Sequence, residues 1–244
     1  MKTQSSLLVI SSLALLLFLS PVPTAAAAAA AAPPQSNPPR PAPAANETAF
    51  VRLICNVSAS LSCKTNVCGK NPAYILASCN RTDIPVDLCN SSLSPYADDV
   101  NQNPANLACV AIAVSAYRVT SIKANISRIG KKADKKAASA FSDCSENFSS
   151  AREQIISSAR AVTKLVSISR RTKRFKDIAA VVQTRMDGAI TDENTCMDGV
   201  KEMLPEKDPA AAAVEALVNR ATELTSIGEA MFKSYIESRL NNKS

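Results

Sequence analysis

Apolar residues in the second half of the chain follow the 3.6-residue period of an α-helix over four long segments. Between Phe141 and Val162, for example, they recur at steps of three or four residues. No segment alternates with period two for long enough to form a strand. Because short links join the helical segments, the sequence predicts an all-α fold, an up-down-up-down four-helix bundle. The predicted helices cover residues 104–129, 134–168, 176–203 and 209–240.

The scarcity of two residue types excludes several classes of protein. The chain of 244 residues has no His and five Gly. Without imidazole it lacks Ser-His-Asp and Cys-His catalytic groups, and few glycines argue against phosphate-binding loops and dinucleotide folds. Acidic pairs occur at Asp143 with Glu146 and at Asp192 with Glu193, and we interpret them as solvated or capping groups rather than catalytic pairs. We therefore expect no catalysis, no metal and no cofactor.

The N-terminal part of the chain is expected to lie outside the folded domain. Lys2 precedes an apolar run at residues 7–19, followed by an Ala-rich stretch, which is typical of a secretory signal peptide over residues 1–31. A membrane anchor is the alternative, but the run is shorter than the ~20 residues that a bilayer core requires. Residues 32–49 are predicted to form a Pro-rich disordered tether. The mature protein is therefore expected to be extracellular, in the cell wall or apoplast, and not held in a membrane.

Eight cysteines in a secreted chain indicate disulfide bonds. Zinc is the alternative, but the absence of His and an oxidising compartment argue against it. Seven N-x-[ST] sequons agree with the same compartment. Asn80 and Asn90 directly follow a cysteine and are expected to be too crowded for modification. The glycosylation candidates are Asn46, Asn56, Asn125 and Asn147.

Charge is distributed unevenly along the predicted bundle. Residues 118–176 contain 15 Lys or Arg and 4 acidic residues, whereas residues 177–244 contain 7 and 12. A basic helix face is able to bind nucleic acid, anionic lipid or an acidic polymer. Among these ligands the acidic polymer is the best candidate outside the cell, and we expect no nucleic acid partner. The interpretation that we favour over any ligand is a solvated helix face.

Three segments in a fixed order carry a recognisable pattern. In residues 74–97, two cysteines with nine residues between them are followed by SLSPYA, and FSDCSENF stands at 141–148. The third segment is QTRMDGAITDENTCMDGV at 183–200. With ELTSIGEAM at 223–231, the set resembles the plant invertase and pectin methylesterase inhibitor family over residues 74–240. The resemblance implies a protein that binds a secreted carbohydrate-active enzyme and has no catalysis of its own.

The family resemblance also implies a domain layout and two disulfide bonds. A helical hairpin at 74–97 would precede the bundle at 104–240. A Cys79–Cys89 bond would close the hairpin, and a Cys144–Cys196 bond would join the second and third bundle helices. Both bonds would stabilise the fold, by about 3 and 4 kcal/mol in the chain-entropy description.

Residues 50–78 depart from the family pattern. FVRLICN at 50–56 echoes YILASCN at 74–80, which is typical of a local duplication or a misread gene boundary. We treat this segment as a Cys-bearing insertion of unknown structure. The remaining cysteines allow three pairings, and the sequence does not choose among them. They are Cys55, Cys63, Cys68 and Cys109.

The resemblance favours inhibition of pectin methylesterase by a reversible one-to-one complex that covers the substrate cleft. Acid invertase is the alternative target, but its inhibitors typically carry Pro-Lys-Phe where this chain has RRTKRFKD at 170–177. The family usually shows an aromatic, a Ser and an Ala at the positions of Arg185, Asp187 and Gly188, and we expect these departures to weaken or redirect inhibition. A rival from another class is a non-inhibitory wall protein that binds acidic pectin. The pro-region of a larger esterase is a third hypothesis.

A partner is expected to contact polar helix faces and loops, because the apolar stripes are used in packing. The loop 170–176 combines five basic residues with Phe175, and Arg and aromatic side chains are the usual anchors of protein interfaces. The alternative for Phe175 is a contact that fixes the start of the third bundle helix to the core. The predicted partner-binding residues are Arg174, Phe175, Thr184, Arg185, Asp187 and Thr191.

Overall fold

The computed structural model describes residues 43–57, 71–205 and 207–241. The predicted signal peptide, the first part of the predicted tether, Cys63 and Cys68 lie outside the described residues. Every regular element in the described ranges is helical. The elements are α1 (Ala45–Cys55), α2 (Pro72–Cys79), α3 (Val86–Leu93), a 3₁₀ turn (Ser94–Tyr96), α4 (Ala97–Val100), α5 (Pro104–Gly130), α6 (Lys135–Leu165), α7 (Lys173–Met203) and α8 (Pro209–Asn241).

Helices α5 to α8 form the four-helix bundle that the sequence predicts. Helix α6 packs against α5 and α7, and α8 packs against the same two helices, so the four form a closed ring of contacts. The all-α prediction is therefore confirmed, and the short connections make successive helices antiparallel neighbours.

Side-chain caps determine where the bundle helices begin. The residue before each helix accepts a backbone N–H of its first turn; these caps are Asn103, Asp134, Thr172 and Asp208. The Thr172 cap starts α7 at Lys173, three residues earlier than predicted, and α6 ends at Leu165 rather than at 168. Part of the predicted loop at 170–176 is therefore the first turn of α7.

Helix α5 lies at the centre of the packing. All its residues from Leu107 to Ala116 are buried, because α1, α3 and α4 cover it in addition to α6 and α8. It is long and apolar enough to cross a membrane, but 72% of the relevant window is buried inside the bundle, as in a core helix. Helix α8 approaches it closely at Gly228, where a Cβ would lie 3.2 Å from the Cα of Ile112.

Helix α1 occupies sequence that was predicted to be tether and insertion. The prediction of disorder is wrong for residues 45–49, which begin this helix. The physical reason lies just beyond the Pro-rich stretch, where Val51 and Ile54 are spaced by three residues and both are buried against the bundle. An amphipathic segment of this kind is stabilised by packing rather than by its own propensity.

A disulfide bond and ion pairs hold α1 in place. Cys55 is bonded to Cys109 of α5, which is one of the pairings that the sequence left open. Glu47 is buried, and its Oε1 accepts a hydrogen bond of 2.8 Å from Nε of Arg118. The first residues of the predicted insertion, 50–55, thus belong to a helix that is attached to the bundle.

Helices α2 and α3 form the predicted helical hairpin. The bond between Cys79 and Cys89, expected from the family, is present, and both cysteines are fully buried. Helix α2 begins at Pro72, so the last residues of the predicted insertion, 72–78, belong to the hairpin. The hairpin packs on α5 of the bundle through α3.

Candidate partner-binding surface

Helix α7, which carries the third family segment, is attached to α8 by a buried carboxylate. Glu193 is fully buried, so the interpretation of this residue as a solvated group is wrong. Its Oε1 accepts a hydrogen bond of 2.8 Å from the Thr225 hydroxyl of α8. Burial raises the pKa of Glu193 to about 7, and the charge of Asp192 adds to the rise, whereas the hydrogen bond from Thr225 opposes it.

A disulfide bond and a polar contact attach the other side of α7 to α6. The Cys144–Cys196 bond that the family implies is present between these helices. Nearby, Nε2 of Gln154 donates a hydrogen bond of 2.7 Å to Oδ2 of Asp192. Gly188, which departs from the family pattern, leaves room for that amide, because a Cβ there would collide with the Gln154 side chain.

Two glycines of α7 provide a matched test of this packing. We expect Gly199→Ala to raise the free energy of unfolding by about 1 kcal/mol, because a Cβ at Gly199 meets no atom within 4 Å and Ala is the better helix former. We expect Gly188→Ala to change it by less than about 0.5 kcal/mol, since the same gain is offset by displacement of Gln154 from Asp192. Urea denaturation of both variants measures the difference, and equal gains would contradict the role of Gln154.

Most of the predicted partner-binding residues are accessible on α7. Arg174, Thr184, Asp187 and Thr191 are exposed, and Arg185 is half-buried. Thr184, Asp187 and Thr191 are spaced by three and four residues and therefore share one side of the helix, which we name the α7 face. The Thr191 hydroxyl donates to the backbone oxygen of Asp187 at 2.9 Å. The Asp187 carboxylate is the charged group among these three residues.

Phe175 does not lie at the surface. Its ring is 1% exposed, so the prediction of an exposed aromatic anchor is wrong and the alternative contact with the core is correct. The guanidinium of Arg239 from α8 lies 5.5 Å from the ring centroid. The sequence allowed Phe175 to be either an exposed anchor or a core contact. The packing of α8 against that side of α7 decides that it is a core contact.

An apolar groove between α7 and α8, which sequence analysis missed, lies beside Phe175. It has a volume of about 410 Å³, and Ala179 of α7 with Phe232 and Ile236 of α8 forms its floor. Leu240, at the end of the groove, is 50% exposed. The signal in the sequence was the spacing of four residues from Phe232 to Ile236 to Leu240, which places these three side chains on one side of α8.

Charged groups surround this groove. Lys176 stands on the α7 side, and Lys233 stands on the α8 side, where it pairs with Glu229. The hydrogen bond to Glu229 raises the pKa of Lys233, and the negative charges of Glu229 and Asp187 add to the effect. Ala180 and Gln183 of α7 line the groove, and Thr184 and Asp187 follow them by four residues, so the α7 face continues the groove along the helix. A polar surface beside apolar lining residues is common in protein interfaces.

The other predicted sites are arranged as follows. Among the glycosylation candidates, Asn46 and Asn56 are exposed, whereas Asn125 and Asn147 are half-buried on bundle helices.

In residues 43–57, 71–205 and 207–241 there is no group of three or more His, Cys, Asp or Glu side chains arranged to hold a metal ion. The arrangement on α7 and α8 is chemically suited to binding a protein surface.

Comparison with known sequences identifies the domain. Residues 73–231 match the family described as plant invertase/pectin methylesterase inhibitor. The chain belongs to this family. The match covers the hairpin and the bundle as far as Met231, and it confirms the resemblance carried by the three sequence segments. Because the family consists of enzyme inhibitors, the prediction that this chain is not itself an enzyme is also confirmed.

Several curated proteins from Arabidopsis thaliana and Daucus carota are similar to the chain. Pectinesterase inhibitor 10 of Arabidopsis thaliana is 30% identical over 179 residues, which is 70% of this chain and 54% of the relative. The 21 kDa protein of Daucus carota is 32% identical over 52% of this chain and 65% of its own length. Pectinesterase inhibitor 11 of Arabidopsis thaliana is 30% identical over 52% of this chain and 62% of its own length. The chain thus spans less than two thirds of each of these relatives, and no solved structure matches it.

Proposed function

We propose that this protein is a secreted inhibitor of pectin methylesterase that docks reversibly, one to one, over the substrate cleft of the enzyme. The observation that carries the proposal is the exposed α7 face beside the α7–α8 groove, in a domain of the inhibitor family. Relatives named pectinesterase inhibitors support the choice of target. The surface offers a carboxylate, hydroxyls and an apolar floor without catalytic groups, so inhibition would result from blocking access to the cleft.

The rigidity of this surface supports a docking role. Helix α7 is tied to α6 through Cys196 and to α8 through Glu193, so its exposed side is held on a fixed backbone. A preorganised surface loses little conformational entropy when a partner binds. An interface of ordinary size would bury about 1,600 Å² in total, which requires contacts beyond the three residues of the α7 face.

Inhibition assays with two matched variants test the proposal. We expect Thr184→Ala/Asp187→Ala/Thr191→Ala to raise the concentration needed for half-inhibition of purified pectin methylesterase by about tenfold, because truncation removes polar contacts worth about 1.4 kcal/mol in total. The control is Ser142→Ala/Asp143→Ala/Ser150→Ala, which likewise removes two hydroxyls and one carboxylate, from exposed positions of α6. We expect the control to stay within about twofold of the unmodified protein.

The two ways in which this test fails have different meanings. If the unmodified protein inhibits pectin methylesterase and both triple variants inhibit equally well, the α7 face is not the interface. If the unmodified, folded protein leaves the enzyme fully active, the proposed function is wrong. Arg174→Ala is an additional single variant, since Arg174 is exposed and its removal leaves the core unchanged.

Acid invertase is the second candidate target, because the family description names invertase beside pectin methylesterase. The turn before α7 lacks the proline of the Pro-Lys-Phe pattern, and its Phe175 is buried. Parallel assays with acid invertase decide between the targets. A protein that inhibits neither enzyme but binds acidic pectin would instead be a non-inhibitory wall protein.

A further inference from the structure

We propose that the basic surface around the α6–α7 turn binds a linear polymer of uronic acids through its carboxylates. We name it the basic turn surface. The proposal rests on the proposed function in one respect, because removal of methyl esters by the proposed target enzyme produces a polymer with free uronic acid carboxylates. The surface consists of the exposed side chains of Arg160, Lys164, Arg171, Lys173, Arg174 and Lys176.

Most cations of this surface make no salt bridge in the described residues, although Glu237 of α8 lines the same groove as Lys176. Residues 154–176 contain seven Lys or Arg and no acidic residue. Asp177 borders the surface and pairs with Lys173 at 2.9 Å. In the part of the chain that the structure describes, no salt bridge involves Arg160, Lys164 or Arg171. Such a surface attracts polyanions over roughly a Debye length, about 10 Å at moderate salt.

The backbone of the turn is fixed to the end of α8. Nη1 of Arg170 donates to the backbone oxygen of Arg239 at 3.0 Å, and Nη2 of Arg239 donates to the backbone oxygen of Ile168 at 2.9 Å. The same Arg239 guanidinium lies over the ring of Phe175. These two arginines are thus used to hold the turn, and the backbone that carries the exposed cations needs no further ordering when a ligand binds.

The arrangement of the cations favours an extended carboxylate polymer over nucleic acid. Arg160 lies five residues before the end of α6, about 8 Å along its axis, and Lys164 lies at that end. From there the row continues through Arg171 into the first turn of α7. Proteins that bind single-stranded nucleic acid combine such charge with aromatic rings on which bases stack. The aromatic ring of this segment, Phe175, is buried and offers no stacking surface.

Binding to oligogalacturonate of defined length, measured by titration calorimetry with the secreted full-length protein, tests the proposal. The variant Arg160→Gln/Lys164→Gln/Arg171→Gln is compared with Lys131→Gln/Lys132→Gln/Lys135→Gln, which removes three exposed cations from the α5–α6 turn. We expect the first variant to lose about tenfold in affinity at low salt and the second to stay within about twofold. The methyl-esterified oligomer, which lacks the charges, is expected not to bind.

Several results would overturn the proposal. Equal losses in the two triple variants would show that only net charge matters. Equal binding of the methyl-esterified oligomer would exclude recognition of carboxylates, and tighter binding of RNA or of vesicles with anionic lipid would assign the surface to another ligand. No enzyme is present in these measurements. Failure to inhibit pectin methylesterase therefore contradicts the proposed function only. The binding data with oligogalacturonate decide this inference separately.

Discussion

The free energy of unfolding should decrease by about 3 kcal/mol as the pH rises from about 4.5 to about 7, through the ionisation of Glu193. The folded protein keeps this buried carboxyl protonated up to a pKa of about 7, whereas the unfolded chain releases the proton at the ordinary value of 4.5. Between these two values the folded state binds more protons than the unfolded state, so stability decreases with rising pH. Above pH 7 the carboxyl is ionised in both states, and the loss is complete.

Replacement of Glu193 by Gln isolates this contribution. We expect Glu193→Gln to match the unmodified protein at pH 4 and to exceed it by about 3 kcal/mol at pH 8, because the amide is uncharged at both values. Urea denaturation at the two pH values measures the difference. Glu202→Gln, an exposed change on the same helix, is the control and should give the same small difference at both. An effect of Glu193→Gln that does not depend on pH would contradict a buried, protonated carboxyl.

Loss of the Cys144–Cys196 bond is expected to lower the free energy of unfolding by about 4 kcal/mol. The bond closes a loop with a sequence separation of 52, which greatly restricts the unfolded chain. The double change to Ala avoids placing hydroxyl groups in the core, where both cysteines are 1% exposed. The helical content should persist, since α6 and α7 also meet through apolar packing along their length. Circular dichroism during urea denaturation measures both quantities.

The hairpin bond provides the comparison for that result. Cys79–Cys89 has a sequence separation of 10, and its replacement by two Ala residues should cost about 3 kcal/mol, which is less than the longer bond. Non-reducing peptide mapping should recover both pairs. A loss below about 1 kcal/mol for the bundle bond, or a peptide that joins Cys144 to another cysteine, would contradict the assignment.

The sequence by itself determined the elements of the bundle, because the relevant signals are local. The steps of three and four residues from Phe141 to Val162 require one apolar helix side, and Asp208 before Pro209 marks a helix start wherever the helix packs. The family segments were also readable as local patterns. Residues 45–49 were misjudged, because the Pro-rich composition before them concealed a short amphipathic helix that becomes stable only on the bundle.

Tertiary structure alone decided the properties of the candidate surface. Glu193 resembles an exposed acid in sequence, and it is buried because α8 brings Thr225 against that side of α7. Phe175 and the groove beside it likewise depend on the side on which α7 and α8 meet, and the partner of Cys55 depends on where α1 reaches α5. Helical periodicity specifies which residues share a side of one helix, but burial, pKa and disulfide pairing depend on the helix that packs against that side.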